Sequence, residues 1–272
     1  MRLLSIVVTY YPEKELLEKN IYAFIDYVDK VLIWENTPES ERDKYRFVEH
    51  EKVEYHGDAL NSISHALNYA WKYAVDNEYD YLLTMDQDSL WDNFEYFKKN
   101  TVGNVNVPYG IWCPQINDNV MTLLYQPTDS SITSGTLIPV DIISKVGGWN
   151  EFFAIDSVDT EFFAHVKSIG IGVYRIGNSL LVQRFGNPQK KKFFYCSFEL
   201  RNDSPKRLYY IYRNYVIAMR KYPTNKSLRN GFHNVWLKRI KWILFFENDG
   251  LRKFLAILKG IFDGYKYNVM TL

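Results

Sequence analysis

The sequence predicts an α/β fold: a mostly parallel sheet flanked by helices, with a basic helical appendage at the C-terminal side. Three observations predict it. Short apolar runs alternate with segments whose apolar residues recur at helical spacing, the signature of βαβ units. One such run, Tyr81-Leu82-Leu83-Thr84-Met85, ends abruptly in Asp86-Gln87-Asp88-Ser89, and α/β sheets bind ligands just beyond strand carboxyl ends. The charge is also uneven: residues 201–272 hold 15 Lys and Arg against 4 Asp and Glu, leaving 18 against 28 for residues 1–200. The net charge of +1 over 272 residues conceals this. Two regions are therefore expected, 1–200 as the sheet domain and 201–272 as a basic amphipathic helical region packed on it.

Residues 3–9 read as a buried first strand, broken by Tyr10-Tyr11-Pro12. Leu16, Leu17, Ile21, Phe24, Ile25 and Val28 match one face of a following helix. Val31 to Trp34 is a second strand ending in the polar turn Glu35-Asn36-Thr37-Pro38, and Lys52 to Tyr55 a short third. Ile63 to Val75 is helical, with Ile63, Ala66, Leu67, Ala70, Trp71 and Ala74 inward. The central strand and its acidic turn follow, and the whole reads as the opening of a nucleotide-binding half. Trp91, Phe94, Tyr96 and Phe97 suggest a short helix, and Ile111-Trp112-Cys113 another strand. Thr133 to Ile138 reads as a strand that brings Gly135 close to something, ended by Pro139. Gly147-Gly148-Trp149-Asn150 is a turn. Thr160 to Ser168 is helical, which puts Asp159 at the helix start, a common place for a capping Asp. The lysine run 190–192 reads as a solvated loop. Arg207–Tyr222, Val235–Phe246 and Leu251–Phe262 read as helices. Trp236, Ile240, Ile243 and Leu244 share one face, as do Leu251, Phe254, Leu255 and Leu258.

The composition, 47% hydrophobic and 17% aromatic, suits a globular core and not a disordered chain. Two distant cysteines, Cys113 and Cys196, argue against a disulfide framework or a zinc site and fit a reducing compartment. The first residues lack a signal-peptide cleavage region, and no run reaches ~18 uncharged apolar residues, so no spanning helix is expected. Basic amphipathic helices containing tryptophan read as interfacial membrane helices; a helical cap with a charged outer face is the alternative.

Asp86 and Asp88, one position apart at a strand end, suit a hard divalent cation that shares its shell with substrate phosphates. The competing local reading has Asp88 or Ser89 capping a helix from Leu90. The motifs taken together resemble the family 2 glycosyltransferases of GT-A fold, and more narrowly the bacterial rhamnosyltransferase branch, over about residues 3–265. They are, in order, Val7-Val8-Thr9-Tyr10, Glu35-Asn36-Thr37, Ala66-Leu67-Asn68, Asp86-Gln87-Asp88-Ser89, Thr133-Ser134-Gly135-Thr136-Leu137 and Gly147-Gly148-Trp149-Asn150-Glu151. Ile155-Asp156-Ser157-Val158-Asp159-Thr160-Glu161-Phe162, Tyr209-Tyr210-Ile211-Tyr212-Arg213-Asn214 and Gly260-Ile261-Phe262-Asp263-Gly264 complete the set.

The resemblance implies transfer, with inversion, of a sugar from a nucleoside diphosphate to a hydroxyl. It implies L-rhamnose from dTDP-rhamnose as donor sugar and a growing, polyprenyl-diphosphate-linked surface glycan as acceptor. Mg²⁺ or Mn²⁺ on Asp86 and Asp88 would neutralise the leaving diphosphate. Asp159 would be the base, with Asp156 next in line, and the neighbouring Phe152, Phe153 and Phe162 could raise its pKa. Thr9, Tyr10, Glu35, Asp86, Gly135, Gln183 and Arg184 would meet the donor, and Trp149 and Glu161 the acceptor. The implied location is the cytoplasmic face of a bacterial membrane, as a peripheral protein.

Three positions depart from the family pattern. Glu35 stands where Asp is usual, Ser62 where a glycine often precedes the helix, and Gln183 where a His often contacts diphosphate or metal. Gln183 can hydrogen-bond but carries no positive charge, for which Arg184 could compensate. Another donor, galactofuranose or a hexose, keeps the same chemistry, and a non-catalytic family member is the reading that Gln183 motivates. A nucleic-acid-binding module would use the basic, aromatic tail, against which the acidic body argues.

Overall fold

The computed structural model describes residues 1–117, 121–184, 189–193, 196–233 and 237–271. The chain divides into two compact units, Met1–Gln183 and Arg184–Leu272. The charge step at 200/201 marks a different place, because a hairpin within residues 189–200 groups with the helices that follow it.

In the first unit, β1 (Leu3–Thr9), β2 (Lys30–Glu35), β3 (Val53–His56) and β4 (Tyr81–Asp86) lie parallel in the order β3-β2-β1-β4. β1, β2 and β4 are almost wholly buried, as near-continuous apolar strands covered on both faces must be. Helices α1 (Lys14–Tyr22) and α2 (Ile63–Asp76) supply the crossovers. α1 is shorter than its apolar spacing predicts: Ile25 lies in a separate 3-10 turn, Ile25–Tyr27, and Phe24 and Val28 flank it. α2 matches its expected span. Ser62 caps it, its hydroxyl accepting the His65 N–H at 3.2 Å, with φ −144° at Ser62. An extended backbone there has no need of glycine, which accounts for one departure from the family pattern.

The sheet continues as β4-β8-β6-β9-β5, with β5 (Ser89–Trp91), β6 (Ile111–Ile116), β8 (Thr136–Pro139) and β9 (Val173–Gln183); β7 (Tyr125–Pro127) pairs with β9 off this path. β8 runs antiparallel to both β4 and β6, and β5 antiparallel to β9. The direction of the sheet thus reverses beside β4. Two expectations are corrected here. Trp91 ends a strand, and helix α3 (Phe94–Lys99) begins only at Phe94. No helix starts at Leu90 for Asp88 or Ser89 to cap, because Ser89 and Leu90 pair with Gln183 and Val182. Gly135, at φ +76°, precedes β8, and a Cβ there would come within 2.8 Å of Pro114 and Leu181. The close approach at this glycine is therefore to β6 and β9. α4 (Val140–Val146) ends at Gly147, and α5 (Val158–Ser168) carries Asp159 inside its first turn. Asp159 is not the cap: Ser157 holds that position in a left-handed conformation, as does Asp156 beside it.

The core gathers Leu3, Val7, Val31, Ile33, Leu83 and Met85 from the parallel strands with Leu17, Ile21 and Phe24 on one side of the chain order and Trp91, Phe94 and Phe97 on the other.

The second unit opens with the hairpin β10 (Gln189–Phe193) and β11 (Cys196–Leu200). The lysine run is thus a strand and not a loop. Helices α6 (Pro205–Lys221), α7 (Lys226–Gly231), α8 (Leu237–Phe246) and α9 (Gly250–Lys266) follow. Val235 and Trp236, assigned above to the helix now seen as α8, lie outside the described residues, as do Phe185 and Gly186. α6 and α9 pack closely because α9 turns Gly260 and Gly264 to α6: a Cβ at Gly260 would sit 2.4 Å from the Tyr209 carbonyl oxygen. Among the described residues, Lys253 pairs with Glu247 at 2.9 Å and Arg239 with Asp203 at 2.8 Å, both largely shielded from solvent. No helix among the described residues is long and apolar enough to cross a membrane.

Candidate active site

Strand register assembles the site. Val8 lies opposite Trp34 on one side and Asp86 on the other, and Thr9 lies opposite Glu35. Thr9, Glu35 and Asp86 therefore share the carboxyl edge of three adjacent parallel strands, where such sheets bind ligands. Thr9 is buried and its hydroxyl donates to the Trp34 carbonyl at 3.2 Å. Tyr10 is exposed, and the Gln87 side chain pairs with its backbone in both directions, at 2.7 Å and 3.2 Å. Gln87, silent as a letter between two aspartates, thus ties the acidic turn to the end of β1. Asn20 of α1, buried, donates to the Asp86 carbonyl at 2.7 Å and holds the same turn from below.

A directed chain of hydrogen bonds surrounds Asp86. Its N–H donates to Ser134 Oγ at 3.0 Å, and the Ser134 and Ser89 hydroxyls lie 2.6 Å apart. Ser89 Oγ donates to Gln183 Oε1. The Gln183 amide nitrogen then donates to Asp86 Oδ2 at 3.2 Å and Asp88 Oδ1 at 3.4 Å. Since Ser89 occupies the Gln183 oxygen, the NH₂ must face the carboxylates, and the Ser134 hydroxyl is left to donate to Ser89. Gln183 thus covers part of the charge that a protonated His would cover. Ser89 was read only as a possible helix cap and Ser134 had no role; the Ser89–Gln183 register in the sheet gives Ser89 its place.

The carboxylates repel one another. Burial first, then the charges of Asp88 and Asp159, push the Asp86 pKa up to about 7, against the pull of the Gln183 hydrogen bond. Asp159 is itself raised, by burial above all and also by Asp156, while the Thr160 N–H and hydroxyl oppose this. Asp159 is thus close enough for its charge to act on Asp86, so the acidic turn and the start of α5 converge. Asp156 and Ser157 hold this approach in left-handed backbone at φ 60° and 67°, which costs roughly 1–3 kcal/mol per residue and tends to occur at functional sites.

A crowded pair of carboxylates, with the buried Asp86 raised in affinity for protons, is a donor set that suits a hard divalent cation. Among the described residues no group of three or more His, Cys, Asp or Glu could hold a metal by itself. Asp86 and Asp88 would supply two protein ligands and leave the other positions to phosphate oxygens and water.

Glu35 lines a polar cavity with Arg42, Arg46, Tyr55 and Gly57. It is buried, bonded at 3.3 Å to Arg46 Nε, and its Oε1 has no partner. Burial raises its pKa and Arg46 draws it back. Arg42, buried and donating to the Thr37 carbonyl at 2.8 Å, fixes the turn beyond β2. Neither arginine was singled out from the sequence.

The other candidates fall as follows. Trp149 is buried and stacks on Phe162 of α5 at 4.6 Å, and Glu161 is buried in the same helix. Asn68 clamps the turn at Trp149–Glu151. It accepts the Trp149 N–H at 2.7 Å and donates to the Trp149 carbonyl and to Glu151 Oε1, at 2.8 Å and 2.9 Å. This gives the Ala66-Leu67-Asn68 motif its physical reason. Arg184 is exposed and opens the second unit.

No family profile matches the chain. A curated relative, the dTDP-rhamnosyl transferase RfbF of Shigella flexneri, is 27% identical over 80% of this chain and 79% of its own length. Among solved structures, GalNAc-T7 with UDP, GalNAc and Mn²⁺ aligns with a TM-score of 0.61 at 10% identity. That alignment covers 93% of this chain, which spans about half, 53%, of that protein. The mannosyltransferase PcManGT from Pyrobaculum calidifontis, with GDP-Man and Mn²⁺, aligns at 0.57 and 12% identity, covering 98% and 76%. TarS residues 1–349 from S. aureus, with UDP-GlcNAc, aligns at 0.59 and 11%, covering 97% and 81%. The fold is that of the GT-A glycosyltransferases, and the resemblance read from the motifs is borne out.

Proposed function

We propose that this GT-A-fold chain is an inverting glycosyltransferase that moves L-rhamnose from dTDP-rhamnose to a hydroxyl of a growing, lipid-linked surface glycan. The observation that supports it most is the nearness of Asp159 to Asp86 and Asp88 at the carboxyl edge of the parallel strands. The curated relative carries the choice of donor.

In this reading the thymine enters the polar cavity, where the unpartnered Glu35 Oε1 accepts its N3–H. Thr9 and Tyr10 flank the nucleoside, Gly135 lies beneath the donor, and Arg184 meets the diphosphate. Asp86 and Asp88 would hold Mg²⁺ or Mn²⁺, which would supply positive charge for the leaving diphosphate. The Gln183 NH₂ keeps the two carboxylates oriented toward the donor. Asp159 takes the acceptor hydroxyl's proton as its oxygen bonds to the anomeric carbon on the face opposite dTDP, and dTDP departs with the electron pair of the broken bond. Partial burial suits Asp159 to this, because a raised pKa brings a carboxylate nearer to the working range of a base. Asp156 is the alternative base. Trp149 and Glu161 shape the acceptor side. The basic tail suits an acceptor held at an anionic membrane, so the chain works as a peripheral protein.

The test is a panel of nucleotide sugars with Mn²⁺, Mg²⁺ and chelator, run on the unaltered chain and on Asp159→Asn. Selective, metal-dependent use of dTDP-rhamnose is expected, with turnover falling about 10²–10⁴-fold in the variant while donor binding stays. Use of another donor would discard rhamnose and keep the mechanism. Undiminished transfer by Asp159→Asn would remove it as the base.

A further inference from the structure

Helix α9 is turned the unexpected way round for a helix that merely caps a domain. Leu251, Leu255, Leu258, Phe262 and Tyr265 follow one another at three- and four-residue steps and so form one stripe. They are 67%, 57%, 45%, 57% and 53% exposed. The opposite face, Lys253, Ile257, Gly260 and Gly264, is the buried one, and its glycines lie against α6. A solvated cap would put its leucines inward and its charges outward.

The charges occupy a flank instead. Arg252, Lys259 and Lys266 also recur at helical steps and lie beside the apolar stripe. Arg252 and Lys259 line a cleft with Lys206, Tyr209 and Tyr210 of α6. Lys259 sits 4.9 Å from the Tyr209 ring centre and 2.6 Å from Asp263. Long cationic side chains beside an apolar stripe can keep their heads at phosphate level while their stems cover apolar surface.

We propose that this face of α9 docks on a bilayer of anionic phospholipid, with the apolar stripe entering the acyl boundary and the cleft of Lys206, Arg252 and Lys259 receiving lipid phosphates. The inference rests on the peripheral membrane association in the proposed function and gives that association its residues. Charge complementarity selects the occupant. Residues 201–272 hold 15 cations and 4 acidic groups. Of the acidic groups, Glu247 and Asp203 are in interior ion pairs and Asp263 pairs with Lys259. A symmetric pairing of two copies through α9 would set cations against cations. An anionic bilayer answers both the stripe and its flank, and docking rather than spanning agrees with the absence, among the described residues, of a helix apolar enough to cross.

The experiment is vesicle co-flotation of the full chain with phosphatidylcholine alone and with phosphatidylcholine–phosphatidylglycerol mixtures, at low and high salt. Two double variants accompany it, Leu255→Ser with Phe262→Ser, and Lys206→Gln with Arg252→Gln. These are exposed positions outside the candidate active site, and circular dichroism and nucleotide-sugar binding serve as controls. The unaltered chain should partition to anionic vesicles and hardly to neutral ones. Loss of two cations should weaken this about fivefold per charge, and loss of the two apolar groups at least about tenfold. Slower amide exchange in α9 on adding anionic vesicles should mark the face directly. Flotation unchanged in both variants would keep membrane association and overturn this face. No flotation of the unaltered chain would overturn both, leaving the transfer chemistry to its own test. A concentration-dependent dimer that the Leu255→Ser, Phe262→Ser variant dissolves, without flotation, would overturn the lipid in favour of a second copy.

Discussion

Asp86 carries a contradiction that sets its behaviour. It lies at the buried edge of the sheet, yet the proposed metal-holding role asks it to be charged. Its pKa moves from 3.8 to about 7, so the folded chain holds a proton that the unfolded chain has already lost above about pH 4. For a pKa raised by folding, the stabilisation is complete below the unfolded value and is lost as pH rises through the folded one. Without metal, the melting temperature should therefore fall between about pH 4 and pH 7–8. Asp86→Asn should flatten that slope and melt higher than the parent at pH 8, by the order of 1–3 kcal/mol that an uncompensated buried polar group costs. A melting series against pH, with and without chelator, checks this; a parent that stabilises with rising pH would refute it. If Asp86 and Asp88 hold Mn²⁺ as proposed, the metal competes with the same proton, and its apparent affinity should climb about tenfold per pH unit below pH 7 and level off above. Gln183 holds the Asp86 pKa down. Gln183→Leu should shift both curves to higher pH, and a titration of Mn²⁺ affinity would reveal whether it does.

At the scale of elements, the paired helices α6 and α9 show how small residues decide packing. Gly260 lies against the Tyr209 carbonyl, and Gly264 against the Arg213 carbonyl and the Val216 side chain, all within 2.9 Å of an added Cβ. Backbone cannot move aside as a side chain does, so Gly260→Val should force the helices apart and cost at least about 1–3 kcal/mol. Thermal melting gives the size, and near-wild-type stability would mean that α9 can slide. The buried Lys253–Glu247 pair makes a second case at the joint of α8 and α9. Lys253→Met alone leaves Glu247 buried without its cation and should cost about 3–5 kcal/mol, whereas Lys253→Met with Glu247→Leu should recover most of it. A double-mutant cycle in denaturant measures that recovery. These elements also show what a sequence yields. β1, β2, β4 and α2 were legible because a doubly buried strand and an amphipathic helix each impose a period on the letters. Ser89-Leu90-Trp91 was not, since three residues have no measurable period and β5 owes its existence to β9. The site shows the same limit. Asp86, Asp88 and Asp159 were visible as carboxylates in motifs, while Ser134, Asn20 and Gln87 act through partners brought close by register, which one strand cannot disclose.

For the whole molecule, the question is what each unit can do alone. The buried core cluster lies wholly within the first unit: its last member is Leu181, and every strand of the nine-stranded sheet ends by Gln183. The residues that converge in the candidate site, from Thr9 to Gln183, lie there too. The second unit has its own buried residues, among them Tyr212, Val216, Ile243 and Ile257, and carries the excess of cations. Two compact units that each bury side chains of their own argue for separate foldability. A chain of residues 1–184 should therefore unfold cooperatively, bind nucleotide sugar within about tenfold of the full chain, and lose flotation with anionic vesicles. The same chain should also remain acidic overall, so residual binding to anionic surfaces would have no electrostatic source. Calorimetry, a nucleotide-sugar titration and flotation on one sample decide the matter. Cooperative unfolding with donor affinity lost would mean that donor binding needs residues beyond Arg184. An uncooperative chain would mean that the helices are needed for the sheet to hold, and that the charge division of this protein is not a division of labour.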